Sequence, residues 1–352
     1  MANMNIGTPR FYPDLINHLM SRGVAQAGNF DVITGTNLID IQTGTEAELF
    51  DMNPLNKVDF NTSADTDGHV LINLDLQAAS SFRNNYIAIL NHNLASCSGR
   101  IVLGASATES NVNSADMSGA SHLNTLEVVN ADTIDGSSPY EITPATDGTT
   151  IVKLNPASGS YTPLQYVGIQ FEGDSTFDGS TDLSIGCIMV GQMYEMPHAP
   201  DLNITRMISY NRMNDLQESY GGQRFSNLKS FGRTSTSTSK SPFTTASDNY
   251  QGYGGRLIYD MNFSFINSTD LMPAEYDVRA PGHLAAAQNF VEDVWNKTNG
   301  NHIPFIFSID KASEGDNAES EHIFGRFANN SLDMSQVSPN IFNVKLTVEE
   351  EF

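Results

Sequence analysis

Cysteine is nearly missing from this chain: Cys97 and Cys187 are the only two in 352 residues. Two isolated thiols, neither in a metal-ligand spacing, exclude a disulfide-stapled scaffold and a zinc-ribbon type of site. Each sits among apolar or small residues, where a thiol behaves as a small hydrophobe; a single Cys97–Cys187 bridge stays open. Positive charge is scarce too, with 18 Lys+Arg against 41 Asp+Glu and a formal net charge of −23. The deficit is uneven. Residues 1–197 hold 6 against 22 and carry −16, whereas residues 198–352 hold 12 against 19 and carry −7. A surface of that sign repels phosphate backbones, so nucleic acid is not expected as a partner, and it keeps a protein hydrated. Long hydrophobic runs are also lacking, so no membrane span is expected. The start MANMNIGTPRFYPDL has no charged segment followed by an apolar one, so no signal peptide is expected. Synthesis in the cytoplasm follows, with cell lysis as one route out.

What the chain has is short apolar runs punctuated by turn residues, which predicts a mainly β fold. Residues 9–22 are expected as an amphipathic helix, with Leu15, Ile16, Leu19 and Met20 on one face and Gly23 as its stop. FDVITGTNLIDIQ suggests a hairpin or paired edge strands. HVLINLDL, YIAILNHNL, RIVLGASA, TIVKLN, YVGIQFEG and LSIGCIMVGQMYEMP read as strands, and Val70, Ile72, Leu74 and Leu76 should share a face. Asp67-Gly68, Asp135-Gly136, Asp147-Gly148 and Asp178-Gly179 are turn-competent pairs between them. The polar stretch 104–150 reads as a long surface excursion. Pro197 and Pro200 mark a boundary. The expected organisation is an N-terminal helical arm (1–29), a β-sandwich (30–197) and a second β-rich domain (198–352) carrying one helix at 283–297.

In the second part, ITRMISYNRM is a strand pattern in which Ile204, Ile208 and Tyr210 point one way. RLIYDMNFSFI alternates Leu257, Tyr259, Met261, Phe263 and Phe265. The Ser/Thr run 233–245 is low in complexity, and Tyr220-Gly221-Gly222 and Tyr253-Gly254-Gly255 flank it like two arms of a hairpin. IPFIFSID, HIFGRFA and FNVKLTVEEEF complete the strands.

Chemistry is sparse. No Gly-x-Ser-x-Gly elbow, His-Glu-x-x-His or phosphate-cradling loop occurs, and no catalytic residue and no cofactor is assigned. His92, within Asn91-His92-Asn93, reads as a strand-ending hydrogen-bonding residue before it reads as a catalyst. Asp65 and Asp67, with Asp174, Asp178 and Asp182, lie in acidic turns whose oxygens suit a structural Ca²⁺, without the spacing of an EF-hand loop. Tyr210, Tyr220, Phe225, Phe231, Tyr250 and Tyr253 suit, in order of preference, core packing, a self-assembly interface or a sugar platform. Leu15 and Leu19 are further candidates for subunit contact.

The 69–103 block resembles phage-encoded discoidin-like (coagulation-factor type C) modules. The matching residues are Ile72-Asn73-Leu74-Asp75-Leu76 and Ile87-Ala88-Ile89-Leu90-Asn91-His92-Asn93-Leu94, and Ile185-Gly186-Cys187-Ile188-Met189-Val190-Gly191 fits the closing strand. The resemblance implies a jelly-roll β-sandwich over residues 30–197. The second half is similar to tail-associated phage proteins in three segments: Gly300 to Phe307, Phe324-Gly325-Arg326-Phe327, and Leu346-Thr347-Val348-Glu349-Glu350. Together these imply a non-enzymatic virion component of tail, tail tip or baseplate. It would assemble as a homo-oligomer with other virion proteins and touch the host surface. The alternatives are a carbohydrate-binding adhesin for host polysaccharide, or a capsid decoration protein.

Overall fold

The computed structural model describes residues 6–23, 29–76, 85–129, 132–154, 165–209, 216–226, 256–273, 289–310 and 321–351. The chain is mainly β, and its antiparallel sheets stack in three layers with a core in each gap. The first layer is a seven-stranded sheet. Its path runs Thr133–Ile134, Glu141–Thr143, Gly99–Ser106, Tyr166–Gly173, Val70–Asp75, Phe30–Ile33, with Ser121–His122 beside Gly99–Ser106. Val70, Ile72, Leu74 and Leu76 all enter one core and are fully buried, as period-two alternation requires.

The middle layer is a four-stranded sheet in the order Cys187–Gly191, Tyr86–His92, Gly148–Leu154, Thr125–Val128. Ile87, Ile89, Val152, Ile188 and Val190 face the first layer. Their neighbours Tyr86, Ala88, Leu90, Ile151, Cys187 and Met189 face the other way, against Tyr12, Ile306 and Phe324 of the third layer. A sheet covered on both faces has no solvent side, which is why YIAIL and CIMV are unbroken apolar runs.

The third layer has eight strands: seven on the path Tyr194–Glu195, Arg10–Pro13, Phe305–Ser308, His322–Phe327, Ile341–Glu350, Arg256–Asn267, Thr205–Ser209, with Met334–Ser338 beside Ile341–Glu350. Its far face carries an aromatic core centred on Phe11, whose ring lies 5.1–5.9 Å from those of Phe290, Phe305, Phe307 and Phe327. The third layer thus takes strands from both ends of the chain.

Several expectations are corrected. Residues 10–13 are a strand, and the helix covers only Leu15–Ser21. Pro13 disfavours helical backbone at Tyr12 before it. Asp14 then caps the helix, its Oδ2 accepting the Asn17 N–H at 2.7 Å and its Oδ1 the Val190 N–H at 3.1 Å. Gly23 ends the helix at φ +83°, as expected. Phe30–Ile33 and Ile41–Thr43 do not pair; they join Val70–Asp75 and Val58–Phe60 respectively.

Residues 104–150 are not an excursion. Thr125–Val128 extends the middle sheet and Glu141–Thr143 pairs with Gly99–Ser106. Met117 covers the outer face, seated over Gly104 and Gly168, which are register partners; a Cβ at Gly168 would stand 2.6 Å from its sulfur. Alternation in Arg256–Asn267 breaks after Phe263, where a register shift sends Phe265 out to 73% exposure at φ +64° and Ile266 into the core. Met334–Ser338 is a strand that the sequence reading did not anticipate. Of the expected helix 283–297, residues 283–288 lie outside the described residues. The described part is a π-helical turn, Val291–Trp295, and Asn299 and Gly300 follow it at φ +50° and +68°. Both cysteines are free and buried.

Candidate functional site

A cleft of about 450 Å³ opens where the end of the N-terminal helix meets the segment after the π-helical turn. Trp295, the only tryptophan of the chain, lines it together with Asn296, Asn299, Asn301 and Asn330. Ser21, Arg22, Gly300 and His302 complete the wall.

The wall is held from behind. Trp295 is half-buried, its ring 5.2 Å from that of Phe327. Thr298 is wholly buried, and its Oγ1 sits 2.9–3.2 Å from the carbonyl oxygens of Val294, Trp295 and Gly300. The Ile303 N–H donates to the Thr298 carbonyl at 2.9 Å, closing the loop on itself. Asn299 and Gly300 adopt left-handed backbone, the conformation these residue types tolerate best. Across the rim, Asn301 Nδ2 donates to Asn330 Oδ1 at 3.3 Å, and the Arg326 guanidinium donates to the His302 carbonyl.

The charge of the wall departs from that of the chain. Among the described residues no carboxylate lines the cleft, and Arg22 at its rim makes no ion pair. An aromatic plate with amides that both donate and accept can hold a neutral polar ligand.

His92 belongs to a different arrangement. It is buried at the end of Tyr86–His92, and its Nδ1 accepts the Leu94 N–H at 3.3 Å. Nε2 therefore carries the proton and donates to Thr150 Oγ1 at 3.0 Å, which donates to Asp132 Oδ2 at 2.7 Å. Burial lowers the imidazole to about 4, so it is neutral near pH 7. Burial also raises the Asp132 carboxyl. The chain of bonds ties a strand end to its neighbour and to residue 132, which is the structural role expected of it.

The acidic turns come side by side: the Phe177 N–H donates to the Thr66 carbonyl at 2.9 Å, and Asp182 Oδ1 accepts the Ser63 N–H at 2.9 Å. Asp178 takes the Ser180 hydroxyl at 2.7 Å, and Asp65 and Asp67 are exposed. Even so, among the described residues no three acidic, His or Cys side chains form a metal-holding group. Burial pushes the Cys97 thiol up to about 12 and that of Cys187 up as well, so both are unreactive thiols.

Leu15 and Leu19, expected at a subunit contact, are 1% and 3% exposed inside the first core. Tyr220 is fully exposed at the tip of a hairpin made by Leu216–Glu218 and Arg224–Ser226, and Phe225 lies on its second strand. Tyr210, Phe231, Tyr250 and Tyr253 lie outside the described residues. The cleft was missed by sequence reading, although WNKTNGNH holds the lone tryptophan and three of the four asparagines. No profile of a known protein family and no curated protein matches the chain.

Proposed function

We propose that this chain is a non-enzymatic structural component of a bacteriophage virion, at the tail, tail tip or baseplate, working there as multiple copies. The virion half of this reading draws on the resemblance of residues 69–103 and of the C-terminal segments. The observation that carries the assembly half is the strand Thr205–Ser209. It is the last strand on the path of the eight-stranded sheet. Met207 is 42% and Ile208 61% exposed, and they are successive residues that point to opposite faces. An edge strand with apolar groups bare on both faces is a template for pairing with another chain. Edge pairing repeated around a symmetry axis would give a stable ring from modest contacts.

Light scattering on the purified full chain over a concentration series tests this. A discrete oligomer is expected, and Met207→Ser with Ile208→Ser should shift it towards monomer. Monomer at every concentration, unchanged by the double substitution, would overturn the self-assembly reading. A second reading, a carbohydrate-binding adhesin, is favoured by the Trp295 cleft, and both roles fit within one virion protein.

A further inference from the structure

We infer that the Trp295 cleft is a saccharide site that takes a pyranose unit of a neutral glycan. The inference deepens the adhesin reading, and moves its site from the tyrosines at 210–253 to the place where the end of the N-terminal helix meets the segment after the π-helical turn.

The first argument is the pairing of surfaces. A pyranose presents a flat patch of C–H groups on one side and hydroxyls around its edge. An indole offers a large rigid apolar plate for the former. Each hydroxyl is both donor and acceptor, and so is each primary amide, so Asn296, Asn299, Asn301 and Asn330 can serve hydroxyls in either sense. Carboxylates would serve only as acceptors and would bring further charge. Among the described residues none lines the cleft, in a chain with 41 Asp+Glu, and Arg22 is the single Lys or Arg there.

The second argument is exclusion. Nucleotides and other polyphosphates need several cations, and Arg22 is the single Lys or Arg of the lining. A hydrophobic ligand would desolvate an asparagine-rich lining without offering it any hydrogen bond. The volume, about 450 Å³, suits a small ligand of one or two rings.

The third is preorganisation. Thr298 locks the loop from inside, Phe327 backs the indole, and Asn301 and Asn330 already hold one another across the rim. Little ordering is left for binding to impose, which favours a weakly interacting ligand such as a sugar.

Because Trp295 is the only tryptophan, its emission reports on this cleft alone. The experiment titrates the full chain with the methyl glycosides of glucose, galactose, mannose and N-acetylglucosamine, with glycerol as control. At least one glycoside is expected to change the emission saturably in the millimolar range while glycerol does not. Asn301→Ala with Asn330→Ala should raise the half-saturation point about tenfold, with thermal unfolding unchanged. Asn330→Ala alone, at an exposed position, serves if the double variant unfolds. A flat response to all four glycosides, one matched by glycerol, or saturation untouched by the amide substitutions would each overturn the inference. Light scattering reads the assembly proposal separately, so a chain can fail either test while passing the other.

Discussion

Two five-residue strands of this molecule have opposite fates. Cys187–Gly191 is buried along its whole length between two cores, whereas Thr205–Ser209 is exposed at four positions of five. Both carry adjacent apolar residues, Ile188-Met189-Val190 in one and Met207-Ile208 in the other. The first is apolar on both sides because both sides are covered. The second is apolar on both sides and, among the described residues, largely bare on both, which is the pattern on which the assembly proposal rests. Consecutive apolar residues mark two covered faces in Cys187–Gly191, but in Thr205–Ser209 the same signal falls on an exposed strand.

The sharpest test of that contrast is Ile188→Ala. A side chain lost from a fully buried site costs transfer energy and leaves a cavity, about 2–5 kcal/mol by denaturant unfolding. A loss below about 1 kcal/mol would mean the middle sheet is more loosely packed than its burial implies.

A second effect of similar size should depend on pH. His92 titrates near 4 in the folded chain, lowered by burial from about 6.5. The unfolded chain thus binds a proton first as pH falls, and stability drops between about pH 6.5 and 4, by on the order of 3 kcal/mol for this one group. His18, lowered by burial to about 4 as well, adds to the same slope. Asp132 and Asp14, whose carboxyls are raised by burial, hold their protons longer when folded and work against it. His92→Gln should flatten the slope in unfolding measured from pH 4 to 7. An unchanged slope would show that the imidazole is accessible to protons in the native state.

The bulge gives a smaller, opposite effect. Phe265 sits at φ +64° with its ring in solvent, so Phe265→Asn should relieve left-handed strain and stabilise by about 0.5–1 kcal/mol. Smallest of all, Met207→Ser with Ile208→Ser should leave the unfolding energy of the monomer within about 0.5 kcal/mol, while changing its association. A large loss of monomer stability there would erase the difference between the two strands.

Much of the sandwich was legible because its strands are long enough to show a period. Val70, Ile72, Leu74 and Leu76 display it openly, and the unbroken runs at 86–90 and 187–190 mark double burial. The strands hidden in 104–150 are two to four residues long and contribute at most two core side chains each, such as Ile142 and Val128, which is too few for a pattern to emerge. Arg10–Pro13 was absorbed into the helix that follows because Phe11 and Tyr12 continue its apolar stripe, although Pro13-Asp14 is a break followed by a cap. The outward turn of Phe265 follows from register, which local composition does not encode. The cleft draws on residues 21–22, 295–302 and 330, three segments far apart in the chain that only the tertiary fold brings together.

The strand Arg10–Pro13 has a consequence for biosynthesis. Its partners are Tyr194–Glu195 on one side and Phe305–Ser308 on the other. It must therefore be inserted between two strands that are both made much later. At about 5–20 residues per second, roughly 15–60 seconds of translation separate the emergence of Phe11 from that of Phe307. During that wait Phe11 and Tyr12, later among the most buried aromatics of the described residues, lack the partner strand Phe305–Ser308. The third layer can close only after Ile341–Glu350 has been made, so until then a ribosome-bound chain displays this apolar segment to any chaperone within reach.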